Sequence, residues 1–196
     1  MKSTKTARKK PARKPAVETV ESRAERELSR GVERFEEGET KEAVLAFEAA
    51  LATGVRDAGL LPLILKNLAS ALQRLRSWER MLEITTSYVT LADATPQHHE
   101  LVADAYGLHA IALQHVGRLE DALVAVNTGV AAKPIDTFLL WEKACVLVLR
   151  GDRPGALAVL EEVVTIDPDL KQGISEDEDF ATLRSDPTFK ALMSAD

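Results

Sequence analysis

The sequence predicts an all-α protein built as a row of helical hairpins, and three observations carry that prediction. From about residue 20 onward the apolar residues recur three and four apart, the period of a helix face, and no stretch reads convincingly as a strand. Gly38, Gly117 and Gly151 sit just past such runs, where a left-handed C-terminal cap favours glycine. The pattern also repeats. Gly117 and Gly151 are 34 residues apart, each with a small residue five positions on (Ala122, Ala156) and then a proline (Pro134, Pro168), again 34 apart.

Taken in order, the chain opens on a basic segment. Residues 1–15 hold Lys2, Lys5, Arg8, Lys9, Lys10, Arg13 and Lys14 and no acid, together with Pro11 and Pro15. Such a segment buries too little apolar surface to offset the entropy of ordering, so residues 1–20 read as a disordered basic arm. The whole chain has net charge −6 from 25 basic and 31 acidic residues, which leaves 18 basic against 31 acidic beyond residue 15. The arm, above all Lys9, Lys10, Arg13 and Lys14, suits weak electrostatic contact with nucleic acid, an anionic surface or the acidic body. A solubilising tail is the plainer reading, and with no aromatic interleaved, base stacking is not expected.

The first hairpin, about residues 24–57, is centred on Gly38, with Gly31, Phe35, Ala43, Phe47 and Ala50 around it. The second, about 62–95, keeps Ala69 and Leu72 but has Arg76 in place of the glycine. Its second helix starts near Trp78, with Met81 in the small-residue slot and Thr85 beyond. The third, about 103–136, carries Tyr106, Ala110, Leu113, Gly117, Ala122 and Pro134; Thr95-Pro96 reads as an N-cap followed by proline at the first helical position. The fourth, about 137–170, carries Ala144, Leu147, Gly151, Ala156 and Pro168. Pro134, Pro154 and Pro187 stand where helices could begin, and the short connections make consecutive helices antiparallel.

Residues 171–196 read as a helical cap for the last hairpin's apolar face. Ser175 and Glu178 have capping-box spacing for a helix through Phe180 and Leu183. Asp186-Pro187 begins a last short helix with Phe189, Leu192 and Met193 on one side. The acidic run Glu176 to Asp179 reads as carboxylates complementing a helix N-terminus rather than as a metal site.

On these residues the chain resembles the tetratricopeptide repeat family, over roughly residues 21–170. The second copy departs most, at Arg76, Met81 and Thr85. The stretch from Asp179 to Leu192 is similar to the ending of many bacterial arrays of the family. The resemblance implies a right-handed α-solenoid of about four helix-turn-helix repeats with a C-terminal capping segment. It also implies a concave face, lined by the first helix of each repeat, that receives peptides. Projected onto that face are Leu28, Val32 and Phe35; Leu63, Lys66, Asn67, Ser70, Gln73 and Arg74; Asp104, Leu108, Ile111 and His115; and Phe138, Trp141, Glu142, Cys145 and Val148. From these, Phe35, Lys66, Asn67, Ser70, Arg74, Ile111, Phe138 and Trp141 are the expected partner-binding residues. Phe138 and Trp141 read either as anchors for a partner or as core covered by the tail. A subset of the family clamps a C-terminal carboxylate with Lys, Asn and Arg side chains. Only Asn67 sits at such a slot here, while Leu28, Val32, Asp104 and Leu108 occupy others, so that chemistry is not expected.

Signs of catalysis are weak. Cys145 is the single cysteine, which excludes a disulfide framework and a multi-cysteine zinc site, and it reads as a buried, inert thiol. His98 and His99 are adjacent and point about 100° apart on a helix. His109 is too far along to help, and His115 sits comfortably near a helix C-terminus. No phosphate-binding glycine loop or nucleophile elbow is present. An enzyme would need an unannounced site formed by Tyr106, His109 or Cys145. No apolar run is long enough to span a bilayer and no apolar stretch follows the basic N-terminus, so a cytoplasmic protein is expected. The sequence therefore predicts a non-catalytic scaffold for a protein partner, with no cofactor and no metal. The alternatives are a secretion- or assembly-type chaperone for an apolar client and a nucleic-acid or membrane accessory acting through the arm. Exposed end repeats allow two copies to pair.

Overall fold

The computed structural model describes residues 18–194; Lys9, Lys10, Arg13 and Lys14 of the basic arm lie outside the described residues. Every regular element among the described residues is helical. The order is α1 (Val20–Glu36), α2 (Thr40–Ala52), α3 (Leu60–Arg74), α4 (Trp78–Asp93), α5 (His99–His115), α6 (Leu119–Ala132), α7 (Thr137–Leu149), α8 (Arg153–Ile166), α9 (Lys171–Glu176) and α10 (Pro187–Ser194). Two 3₁₀ turns, Pro168–Leu170 and Glu178–Leu183, flank α9. Helix α1 opens at Val20, within the stretch assigned to the arm. Its N-cap Thr19 accepts from the Ser22 amide at 3.1 Å, and Glu18 pairs with Arg23 and Arg26.

One turn geometry joins the two helices of every pair. Gly38, Gly117 and Gly151 have φ of +84°, +79° and +81°, and Arg76 takes the same left-handed conformation at φ 54°. The amide after each reaches back five residues: Glu39 to the Arg34 carbonyl at 2.8 Å, and Ser77 to Leu72, Arg118 to Leu113 and Asp152 to Leu147, each at 2.9 Å. These are Schellman closures, which satisfy the last carbonyls of one helix while turning the chain into the next.

Helix starts depart from the sequence expectations at three places. Helix α5 begins at His99, not after Thr95-Pro96, because the Thr95 hydroxyl donates back to the Leu91 carbonyl at 3.1 Å and closes α4 instead. Pro134 lies in the turn before α7, whose cap is Asp136, accepting from the Leu139 amide at 3.2 Å. The Ser175–Glu178 capping box does not form. Ser175 sits inside α9 with its hydroxyl on the Lys171 carbonyl at 2.9 Å, and Asp177 caps the following 3₁₀ turn. Pro154 and Pro187 do stand in the first turns of α8 and α10.

Packing explains the small residues. A Cβ on Gly31 of α1 would lie 2.4 Å from the ring of Phe47 in α2, so glycine is what lets that ring in. Leu139 of α7 reaches the backbones of both α5 and α6, where a Cβ on Gly107 or Gly129 would lie 2.8 or 3.1 Å from it. The core runs continuously through Phe47, Leu65, Leu68, Leu72, Met81, Tyr88, Leu108 and Ile111. It resumes around Leu140, Ala144, Leu160 and Val163, where Ile174, Phe180, Leu183 and Phe189 of the tail complete it. Each large tail side chain so buried is worth about 1.5–3 kcal/mol. Helices α1, α3, α5 and α7 touch one another in succession, while α2, α4 and α6 pack chiefly against the helices just before and just after them. The first helices therefore crowd the inner side of the curve and the second helices spread along the outer side.

Candidate binding groove

The inner side is assembled from α1, α3, α5 and α7, and its first half is knitted by contacts between successive helices. Phe35 near the end of α1 lies beneath the Arg74 guanidinium of α3, 5.1 Å from ring centre to Cζ, and Arg74 also donates to the Phe35 carbonyl at 3.4 Å. Lys66 of α3 donates to Asp104 of α5 at 2.6 Å. Asn67 donates to the Leu63 carbonyl at 2.7 Å and Ser70 to the Lys66 carbonyl at 3.0 Å, both within α3. Leu63 stands exposed beside them. A cleft of about 270 Å³ opens between α3 and α5, with Pro62, Leu63, Lys66, Leu101 and Asp104 on its walls and Tyr88 of α4 behind.

Three residues projected onto this face are buried instead: Cys145 of α7 and two on α5. Ile111 and Leu108 are 2 % and 7 % exposed and belong to the core, because α5 is covered on several sides by α3, α4, α6 and α7. His115 is the last residue of α5, at the helix end where the sequence places it. Its ring stacks on Trp78, centroids 3.7 Å apart, and burial with help from Arg76 pushes its pKa down.

The second half of the inner side is built jointly by α7 and the tail. Trp141 donates its indole N–H to Asp177 at 3.0 Å, tilts against Phe180 at 5.7 Å and lies over Gly173. It is thereby the fastening point of the tail rather than an open aromatic face. Arg184 holds the same loop from beneath, donating to the carbonyls of Ser175, Glu176 and Asp177 at 3.1, 2.9 and 3.1 Å. Phe138, one turn earlier on α7, stays 48 % exposed. Between it and the tail lies a cleft of about 260 Å³ lined by Thr137, Phe138, Trp141, Glu142 and Leu170.

Acidic groups converge at the floor of this half. The Cys145 thiol and carboxylate oxygens of Asp177 and Asp179 lie within 4.8 Å of one another. Burial, reinforced by Asp179 and Asp177, pushes the Glu142 carboxyl up to about 8. The Cys145 thiol is pushed up by burial and by Glu142, which favours its neutral form. The other groups weighed for chemistry have partners on α4: Tyr106 donates to Asp93 at 2.8 Å, and His109 Nδ1 pairs with the Thr85 hydroxyl at 3.0 Å. The sequence reading did not find Asp177 as the acceptor for Trp141 or Arg184 as the loop's anchor. Both bonds cross from one segment to another, and no local spacing encodes them. On the outer side, a larger groove of about 580 Å³ runs between α8 and α10, past Pro154, Leu157 and Leu192.

The fold is that of the tetratricopeptide repeat proteins, as the comparison with solved structures shows. A crystal structure of MamA matches with a TM-score of 0.67 at 15% identity, covering 88% of this chain and 91% of that one. The thermophilic tetratricopeptide protein TTC0263 of Thermus thermophilus matches at 0.62 and 23% identity, covering 82% and 84%. YrrB, described as a tetratricopeptide protein with an unusual peptide-binding site, matches at 0.61 and 20%, covering 74% and 70%. No family model matches the sequence, and no curated protein matches it. No helix among the described residues is long and apolar enough to cross a membrane.

Proposed function

We propose that the chain is a non-catalytic scaffold that holds a segment of a partner protein along its inner side. The observation that carries this reading is the unfilled first half of the groove, where Leu63 is 51 % exposed above a cleft walled by Pro62, Leu101 and the Lys66–Asp104 pair. An apolar side chain held open beside polar groups satisfied within the rigid stack is what an extended or helical peptide meets at low ordering cost. The peptide-binding site named for YrrB, a protein of the same fold, supports peptide binding as the use of this scaffold. The residues expected to meet the segment are Phe35, Lys66, Asn67, Ser70 and Arg74, joined by Leu63 and by Phe138 at the far end.

The test is affinity capture from the native cell with the full chain and two variants, each checked for helix content by circular dichroism. Lys66→Glu with Leu63→Ser alters the groove; Val124→Ser alters an exposed apolar residue of the outer helix α6. The reading predicts partners retained by the native chain and the Val124 variant but lost from the groove variant. Equal capture by all three would contradict it.

A further inference from the structure

We propose that the cleft between Phe138 and Glu142 receives an arginine or lysine side chain carried by the partner's segment. This rests on the inner-side reading above and adds the chemistry of what binds. The cleft has two kinds of wall. Phe138, Trp141 and Leu170 are apolar, and Phe138 presents half its surface to solvent. Glu142 closes the floor, with Asp177 and Asp179 close enough to bear on its charge. None of the ion pairs seen among the described residues involves Glu142, Asp177 or Asp179.

A side chain that matches such a site needs an aliphatic stem for the walls and a cation at its tip for the floor, which describes lysine and arginine. The exposed ring of Phe138 adds a face on which a guanidinium can rest. The protein already contains this recognition at the other end of the same surface, where the Arg74 guanidinium covers the ring of Phe35. There the cation comes from the next helix in the stack. Past α7 the stack ends, and the tail supplies carboxylates in its place. A metal ion fits less well: of the groups that converge, Cys145 is buried and Asp177 is engaged by Trp141.

The test uses the full chain and follows the indole N–H signals of Trp141 and Trp78 and the backbone amides of residues 66–74 by NMR. The probes are a short arginine-rich peptide and its citrulline counterpart, at physiological salt. The inference predicts that the arginine peptide moves the Trp141 indole signal and the citrulline peptide does not. Binding should weaken by about tenfold or more in Glu142→Gln with Asp179→Asn, and likewise in Phe138→Ala, whose ring is at the surface. A peptide that moves the 66–74 amides but leaves Trp141 unmoved would overturn the inference and leave the inner-side reading standing; one that moves neither would count against both. A Trp141 response that appears only after Lys9, Lys10, Arg13 and Lys14 are changed to Ala would replace the partner with the chain's own basic residues. Zinc binding lost in Cys145→Ser, with no peptide response, would make the site a metal site and overturn the proposal.

Discussion

Single residues set the economy of this fold, and Arg76 shows it most clearly. It occupies the left-handed position that glycine fills at the three sister turns. A side chain there costs about 1–2 kcal/mol against the right-handed conformation, partly recovered by the lower unfolded-state entropy of a non-glycine residue. Arg76→Gly is therefore predicted to stabilise the protein by about 1 kcal/mol, raising Tm by about 2–4 °C in a thermal melt. Glu142 makes a second prediction at this scale. Its carboxyl rises in the folded state from the ordinary 4.5 to about 8, so folding favours the protonated form. The stability tied to that proton is fully present below the ordinary value and is lost as pH climbs through about 8. Glu142→Gln removes the titration. The Tm difference between variant and native chain is predicted to grow in the variant's favour as pH is raised across that window. A constant difference would contradict the assignment.

At the scale of elements, the tail behaves as the last member of the stack. Ile174, Phe180, Leu183 and Phe189 are buried against α7 and α8, the face that a further hairpin would otherwise cover. Two polar fastenings fix its register: Trp141 on Asp177, and Arg184 beneath the loop carbonyls. Removing Arg184 leaves those carbonyls without their charged donor, at a cost of about 1–3 kcal/mol. Arg184→Ala is predicted to speed hydrogen exchange at the Trp141 indole and at the Phe180 and Leu183 amides, while α1 to α4 keep native protection. Uniform loosening of the chain would show instead that the tail and the repeats unfold as one.

Across the whole molecule, what was legible in the sequence was what is local. The turns at Gly38, Gly117 and Gly151 follow from glycine's access to positive φ. Even the Arg76 turn was located by its spacing, because the surrounding Ala69, Leu72 and Trp78 preserve the pattern. The face of each inner helix was less legible. Ile111 and Leu108 have helical spacing that suits either the groove or the core, and only the crowding of α5 by four neighbours decides for the core. The tail's caps were misplaced because Ser175 and Asp177 compete for the same role two residues apart, and a bond from Trp141, 36 residues upstream, favours Asp177. Prolines misled in the same way where a hydroxyl or carboxylate nearby offered a better cap, at Thr95 and Asp136.

That a partner lies along the inner side is tested most directly by site-specific photocrosslinking in the native cell. A photoreactive residue would be placed at exposed Leu63 or Phe138 inside the groove, or at exposed Val124 or Leu45 on the outer helices. The account predicts a discrete crosslinked partner from positions 63 and 138 and none from 124 and 45. Crosslinks from the outer positions with none from the groove would contradict it.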